Sequence, residues 1–156
     1  MRKDFTMIEL IFVIVILGIL AAVAIPRLAA TRDDAEIAKA VNNINTLVSD
    51  VGSYYTSQGQ FAANLADMTN VQIVSATGLT SAINAGGQPC IGIKLLGASA
   101  GLELTDNSDT LNGSAKTACA SVVKAPGVKS IIDSKFNVDG KEVKGLKVGG
   151  TSDIKY

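Results

Sequence analysis

Residues Phe5–Pro26 read FTMIELIFVIVILGILAAVAIP, and from Leu10 to Ile25 no side chain is polar. Phe5 to Ile25 is 21 residues. At about 1.5 Å rise per residue a helix of that length covers roughly 30 Å, the thickness of a bilayer's hydrocarbon core. A cleavable secretory signal has a shorter apolar part ending in small residues. Ala21-Ala22-Val23-Ala24 offers such an end, but Glu9 sits inside the apolar run, where an ordinary signal carries only hydrophobes. Thirteen Leu, Ile, Val and Phe residues between Ile8 and Ile25 favour insertion by roughly 0.3–0.6 kcal/mol each, about 4–8 kcal/mol together. One intramembrane charge costs about 2.5–3.5 kcal/mol, less near a helix end. The helix therefore inserts with Glu9 in place. Either the carboxylate snorkels to the headgroups from the helix start, or it has a partner and a function.

The surrounding residues resemble the N-terminal signature of type IV pilins and of the related pseudopilins of type II secretion systems. The resemblance covers roughly Arg2 to Ala30, a fifth of the chain. It consists of a short basic leader, Phe5 followed by Thr6, Glu9 four residues after the Phe, an unbroken apolar run containing Gly18, and Pro26. It implies that a membrane prepilin peptidase cuts between Asp4 and Phe5 and that the new Phe5 amino group is methylated. It further implies that Glu9 neutralises such an amino group on a neighbouring subunit during assembly. The departure from the pattern is Asp4, where the family prefers Gly. In related filaments the Gly18–Pro26 segment tends to lose helicity as subunits pack. Pro26 lacks the N–H that would bond the Ala22 carbonyl, so a kink is expected at Gly18 and Pro26 on physical grounds as well.

Pro26 does not end the helical pattern. Ile37, Val41, Ile44, Val48, Val51 and Tyr55, joined by Leu47 and Tyr54, recur at steps of three and four. That stripe is wide enough to pack on a sheet. The sequence predicts one helix from about Thr6 to Ser57, with a break near Ala30 as the competing reading, and termination at Ser57–Gln60. The parts are then a leader, 1–4; a membrane-spanning and filament-core half-helix, 5–26; an amphipathic half-helix, 27–57; and a head, 58–156. Ala62–Met68 reads as a short helix, Val71–Val74 as a short extended piece and Ala85–Pro89 as a turn or loop. Cys90–Leu96 and Gly101–Thr105 read as two strands. Ala115–Lys124 reads as a short helix stopped by Pro126-Gly127. Phe136–Val138 and Glu142–Val148 flank Asp139-Gly140, a hairpin signal that Lys141 makes slightly long.

Beyond Ala30 the chain is rich in small residues, and the whole sequence has only seven Phe and Tyr and no Trp. Such a core profits from a covalent staple. Cys90 and Cys119 are the two cysteines, and an exported domain meets oxidising conditions in which two cysteines usually pair. Closing a loop of that size is worth roughly 3–4 kcal/mol; two unpaired buried thiols are the alternative. With no His and no Cys-x-x-Cys no metal site is assigned. Asp106 and Asp109 invite a calcium reading, since major pseudopilins carry calcium in a late loop, but their spacing fits no EF-hand and a plain turn is preferred. Residues 1–110 hold 6 Lys and Arg against 10 Asp and Glu, and residues 111–156 hold 8 against 4. Solvated surface accounts for this split; so does complementarity between neighbouring subunits or a basic face for an anionic ligand.

The absence of His removes the commonest general base, and no nucleophile elbow, phosphate loop or dinucleotide fingerprint occurs. The expectation is an α+β, pilin-like fold in which a long N-terminal helix packs on a small antiparallel sheet. The function expected is structural rather than enzymatic, without cofactor or small-molecule substrate. Nucleic acid is suggested by nothing beyond the lysines of the C-terminal tract. Expected partners are further copies in a homo-oligomeric helical filament, inner-membrane lipid, the prepilin peptidase and the assembly machinery. Arg2 and Lys3 nearly balance Arg27 and Arg32 across the span. Orientation, with the head in the periplasm before assembly and in an extracellular fibre or periplasmic pseudopilus after it, thus rests on the cysteines and the resemblance. A type II secretion pseudopilin is the alternative, and a membrane-tethered binding module that never assembles is the third reading.

Overall fold

The computed structural model describes residues 6–97, 100–138 and 140–149. The chain divides into two compact units, Met1–Ala35 and Glu36–Tyr156. Helix α1, Met7–Gln58, runs through 52 residues, with Pro26 inside it and no break at Ala30. It stops where the sequence predicts. Gly59 takes φ of 72° and donates its N–H to the Tyr55 carbonyl at 2.8 Å, a left-handed cap that glycine adopts without steric cost.

In the second unit α1 buries Ala40, Ile44, Leu47 and Val51, spaced by four, three and four so that all four lie on one face. Ile37, Val41, Val48 and Tyr54 flank that row and are only partly buried. The stripe read from the sequence therefore packs on the core except for Tyr55, whose ring lies 4.9 Å from that of Phe61, and Ala40 joins it at the start of the buried row. The sheet opposite is antiparallel throughout. Its strands are β1, Val74–Thr77; β2, Thr80–Ala85; β3, Gln88–Leu96; β4, Gly101–Asp106; and β7, Leu146–Lys147, in the order β1-β2-β3-β4-β7. Ile83, Ile91, Ile93, Leu95, Leu102 and Leu104 join α1 in one core. They alternate along their strands as a one-sided sheet requires. Strands β5, Lys135–Val138, and β6, Lys141–Lys144, form a separate hairpin.

Four local expectations change. Ala62–Met68 contains only a 3₁₀ turn, Leu65–Asp67, and the extended piece lies three residues later than expected, as β1. The turn reading of Ala85–Pro89 holds, as a tight hairpin: Ala85 pairs with Gln88, while Gly86 and Gly87 have φ of 60° and 76°, the mirror-image turn that matches strand twist. Pro89 is tolerated in β3 because the β2–β3 register shifts beside it, between Ile83 and Asn84. Pro126 ends α2, Gly113–Lys124, but also opens α3, Pro126–Ile132, since proline's missing N–H is harmless in a first turn.

The fourth change is in the expected strand Glu142–Val148. Lys141 pairs directly with Val138, so the turn has two residues. The run then breaks at Gly145, and Leu146–Lys147 crosses to pair with β4. Gly145 has φ of 123°, and a Cβ there would overlap the Leu102 carbonyl. We predict that Gly145→Ala lowers the denaturation midpoint well beyond Gly59→Ala. Gly59 is also left-handed but faces open space. Backbone strain alone is worth about 1–3 kcal/mol at such positions, and equal midpoints for the two variants would refute the proposed overlap.

Candidate functional site

The first unit presents apolar surface that its own chain leaves open. Fifteen large apolar side chains from Met7 to Leu28 are exposed, Phe12 by 67%. The most apolar 18-residue window has a mean hydropathy of 3.1. By length and composition this helix can cross a membrane. Such a continuous patch marks a surface that lipid or another protein covers.

Glu9 is the one charge between Thr6 and Pro26, and the helix start engages it. The Thr6 N–H donates to Glu9 Oε2 at 3.0 Å and the Thr6 hydroxyl donates to the same oxygen at 2.7 Å. In return the Glu9 N–H donates to Thr6 Oγ1 at 3.3 Å. This is a capping box, in which the residue before the helix and the third residue inside it satisfy each other's orphan groups. Its signature, Thr-x-x-Glu ahead of an apolar run, is present in the sequence. Thr6 is the residue of this candidate site that sequence reasoning missed by treating Glu9 alone. Both bonds to the carboxylate use Oε2; Oε1 has no hydrogen bond among the described residues. The proposed cleavage point Asp4–Phe5 lies outside the described residues. Gly18 and Pro26 both lie within α1, and a Cβ on Gly18 would meet open space.

In the head, Cys90 and Cys119 form a disulfide across a sequence separation of 29. Both are fully buried. The bond ties the start of β3 to the face of α2 that also buries Ala115, Ala118 and Val122. Asp106 and Asp109 serve a turn. Asp106 Oδ1 accepts the Ser108 N–H at 2.7 Å, an Asx arrangement, and Asp109 lies 3.9 Å from the Lys116 ammonium. Among the described residues no group of three or more His, Cys, Asp or Glu could hold a metal ion.

The chain is 36% identical over 77 residues to a fimbrial protein of Neisseria meningitidis serogroup A, covering 49% of this chain and 44% of that one. It is 35% identical over 60 residues to type II secretion system core protein G of Dickeya chrysanthemi, covering 38% and 39%. Over 94 residues it is 33% identical to the fimbrial protein EcpC of Eikenella corrodens, covering 54% and 61%. Its homologues are type IV pilins and type II secretion pseudopilins. The matches span less than half the length of the first two of these relatives. No protein-family model and no solved structure matches the chain. The fold is pilin-like, a long apolar N-terminal helix with a small antiparallel sheet packed on its later part. The relatives' names are those of fimbrial and secretion-system components, not of enzymes. The pilin-like N-terminal helix fits a membrane-anchored precursor.

Proposed function

We propose that this chain is a structural subunit of a type IV pilus-like helical filament, assembled from the inner membrane and serving surface adhesion, motility or DNA uptake. The observation that carries the reading is the exposed apolar stretch from Met7 to Pro26 whose single charge, Glu9, keeps one carboxylate oxygen without a partner among the described residues. In the membrane, lipid covers that helix; in the filament, the helices of other copies do. Residues 1–4 are removed by the prepilin peptidase, Phe5 becomes the methylated N-terminus, and its amino group meets Glu9 of a neighbour. Gly18 and Pro26 weaken the helix where packing bends or unwinds it. The head stands in the periplasm until extraction.

Negative-stain microscopy of sheared cells, with an antibody against the head, tests this. Labelled fibres support it, and antigen that stays monomeric in the membrane would favour the tethered binding module. A second reading, a type II secretion pseudopilin, is favoured by the 35% identity to core protein G. It predicts that deleting the chain stops protein export while the wild type carries no surface fibre. We also predict that filament subunits begin at Phe5 and carry one added methyl, as read by mass spectrometry, and that Asp4→Gly speeds processing. A leader retained throughout assembled filaments would remove the Phe5 amino group from the mechanism.

A further inference from the structure

The β5–β6 hairpin carries lysines that the described residues do not all balance. Lys135 and Lys144 stand directly opposite each other and so share a face, where like charges repel. Glu142 reaches the Lys135 ammonium at 2.5 Å. Its hydrogen bond, and then its charge, raise that lysine's pKa above the ordinary value. Lys144 receives no such partner, nor does Lys141 beside the turn: both are exposed and neither side chain bonds to a described residue.

Elsewhere on the same unit, an open groove of about 520 Å³ is lined by Asp50, Asp67, Ser53, Ser57, Thr69 and Asn70 among others, and among the described residues no cationic side chain lines it. Asp50 accepts the Thr69 hydroxyl at 2.7 Å and Asp67 the Asn64 amide at 3.1 Å. These bonds orient the two carboxylates without neutralising them. The imbalance extends past the two sites. Residues 36–110 carry two Lys against six Asp and Glu, whereas residues 111–156 carry eight Lys against four.

We propose that the Lys141/Lys144 end of one subunit's hairpin docks against the Asp50/Asp67 groove of a second copy. The inference rests on the filament reading and supplies a contact for it. A helical filament grows by a heterologous contact, which requires two different surfaces on each subunit, each complementary to the other. A chain of zero net charge in which a basic face and an acidic groove each lack counter-charges among the described residues has such a pair. Charges placed in this way fix register and disfavour wrong partners.

A charge swap in the full-length chain tests it. Lys141→Glu with Lys144→Glu, and separately Asp50→Lys with Asp67→Lys, should each reduce filament number on the order of tenfold or more. Subunit level and the Cys90–Cys119 bond should be unchanged. The chain carrying all four substitutions should regain filaments, and wild-type filaments should shed subunits as salt rises. Undiminished filaments from either pair, or no recovery in the fourfold variant, overturns the contact while leaving the filament reading intact. So does a hairpin variant that assembles normally but no longer retains an added anionic polymer, since the lysines would then serve that ligand. Absence of filaments from the wild type overturns both readings.

Discussion

Replacing Glu9 by Val is expected to leave the subunit folded and membrane-anchored, at normal level, with few or no filaments. Insertion does not need the carboxylate, because the apolar residues of the span outweigh its cost and Val removes that cost altogether. Assembly is different. Once helices pack and exclude water, an unpaired ammonium or carboxylate costs several kcal/mol, and pairing Glu9 with a neighbour's Phe5 amino group removes both penalties. The capping box provides a control that separates charge from local structure. Gln is accepted at the third helical position of a capping box, so Glu9→Gln keeps the helix start and loses only the charge. Thr6→Ala does the reverse, at about 0.5–2 kcal/mol of helix stability. If charge governs assembly, Glu9→Gln fails as Glu9→Val does, and Thr6→Ala gives a milder loss. Glu9→Asp falls between, because its shorter arm reaches less far. Filament counts by microscopy, normalised to membrane-bound subunit, decide the matter. Normal filaments from Glu9→Gln with loss in Thr6→Ala would reduce Glu9 to a helix cap. Normal filaments from Glu9→Val would leave only a snorkelling glutamate.

What could be read from the chain depended on how strongly local chemistry constrained each segment. Helix α1 was legible because an unbroken apolar run of lipid length reads as a spanning helix and because the apolar residues from Ile37 to Tyr55 keep one helical period. Strands β3 and β4 were legible from their Ile and Leu alternation. Strand β2, with Thr80-Ser81-Ala82-Ile83-Asn84-Ala85, was not, since small and polar residues have little strand preference and this strand is fixed by its neighbours. Ser81, for example, is buried because its hydroxyl reaches the Val74 carbonyl at 2.9 Å. Pro126 misled for a different reason: the same residue ends one helix and begins another, and only Val128 buried below it distinguishes the two. The break at Gly145 does leave a trace, since Val143 and Leu146 are three apart and the alternation changes phase there, but the pattern records which residues are apolar and not which partner strand receives them. At the candidate site, the lone charge in an apolar run identified Glu9. Thr6 required reading two residues as a reciprocal pair.

The second large effect belongs to the disulfide. Cys90→Ala with Cys119→Ala is expected to lower the stability of the head by about 3–4 kcal/mol, the loop-closure value for a separation of this size. A domain of this length is stable by only about 5–15 kcal/mol, and each kcal/mol moves the melting temperature by several degrees. The midpoint should therefore fall by roughly 10–25 °C. The location makes the loss larger rather than smaller. The bond is in the core, fully buried at both ends, and α2 is a short helix whose buried face is otherwise mostly alanine. Alanine has little area to bury, so α2 depends on the covalent tie to β3 more than a leucine-rich helix would. Serine is the wrong replacement, because it would add a buried hydroxyl and confuse the loss of the bond with an unsatisfied polar group. Two measurements on the full-length chain in detergent settle the size of the effect. The double alanine variant and the wild type reduced while unfolded should melt at similar temperatures, both well below the oxidised wild type. Native wild type should resist the reductant, because both sulfurs are shielded from solvent. At low temperature the alanine variant should still form filaments through Glu9, since the disulfide supports the head and the charge pair acts between helices. An unchanged melting temperature in the double variant would mean that packing alone holds α2 on the sheet.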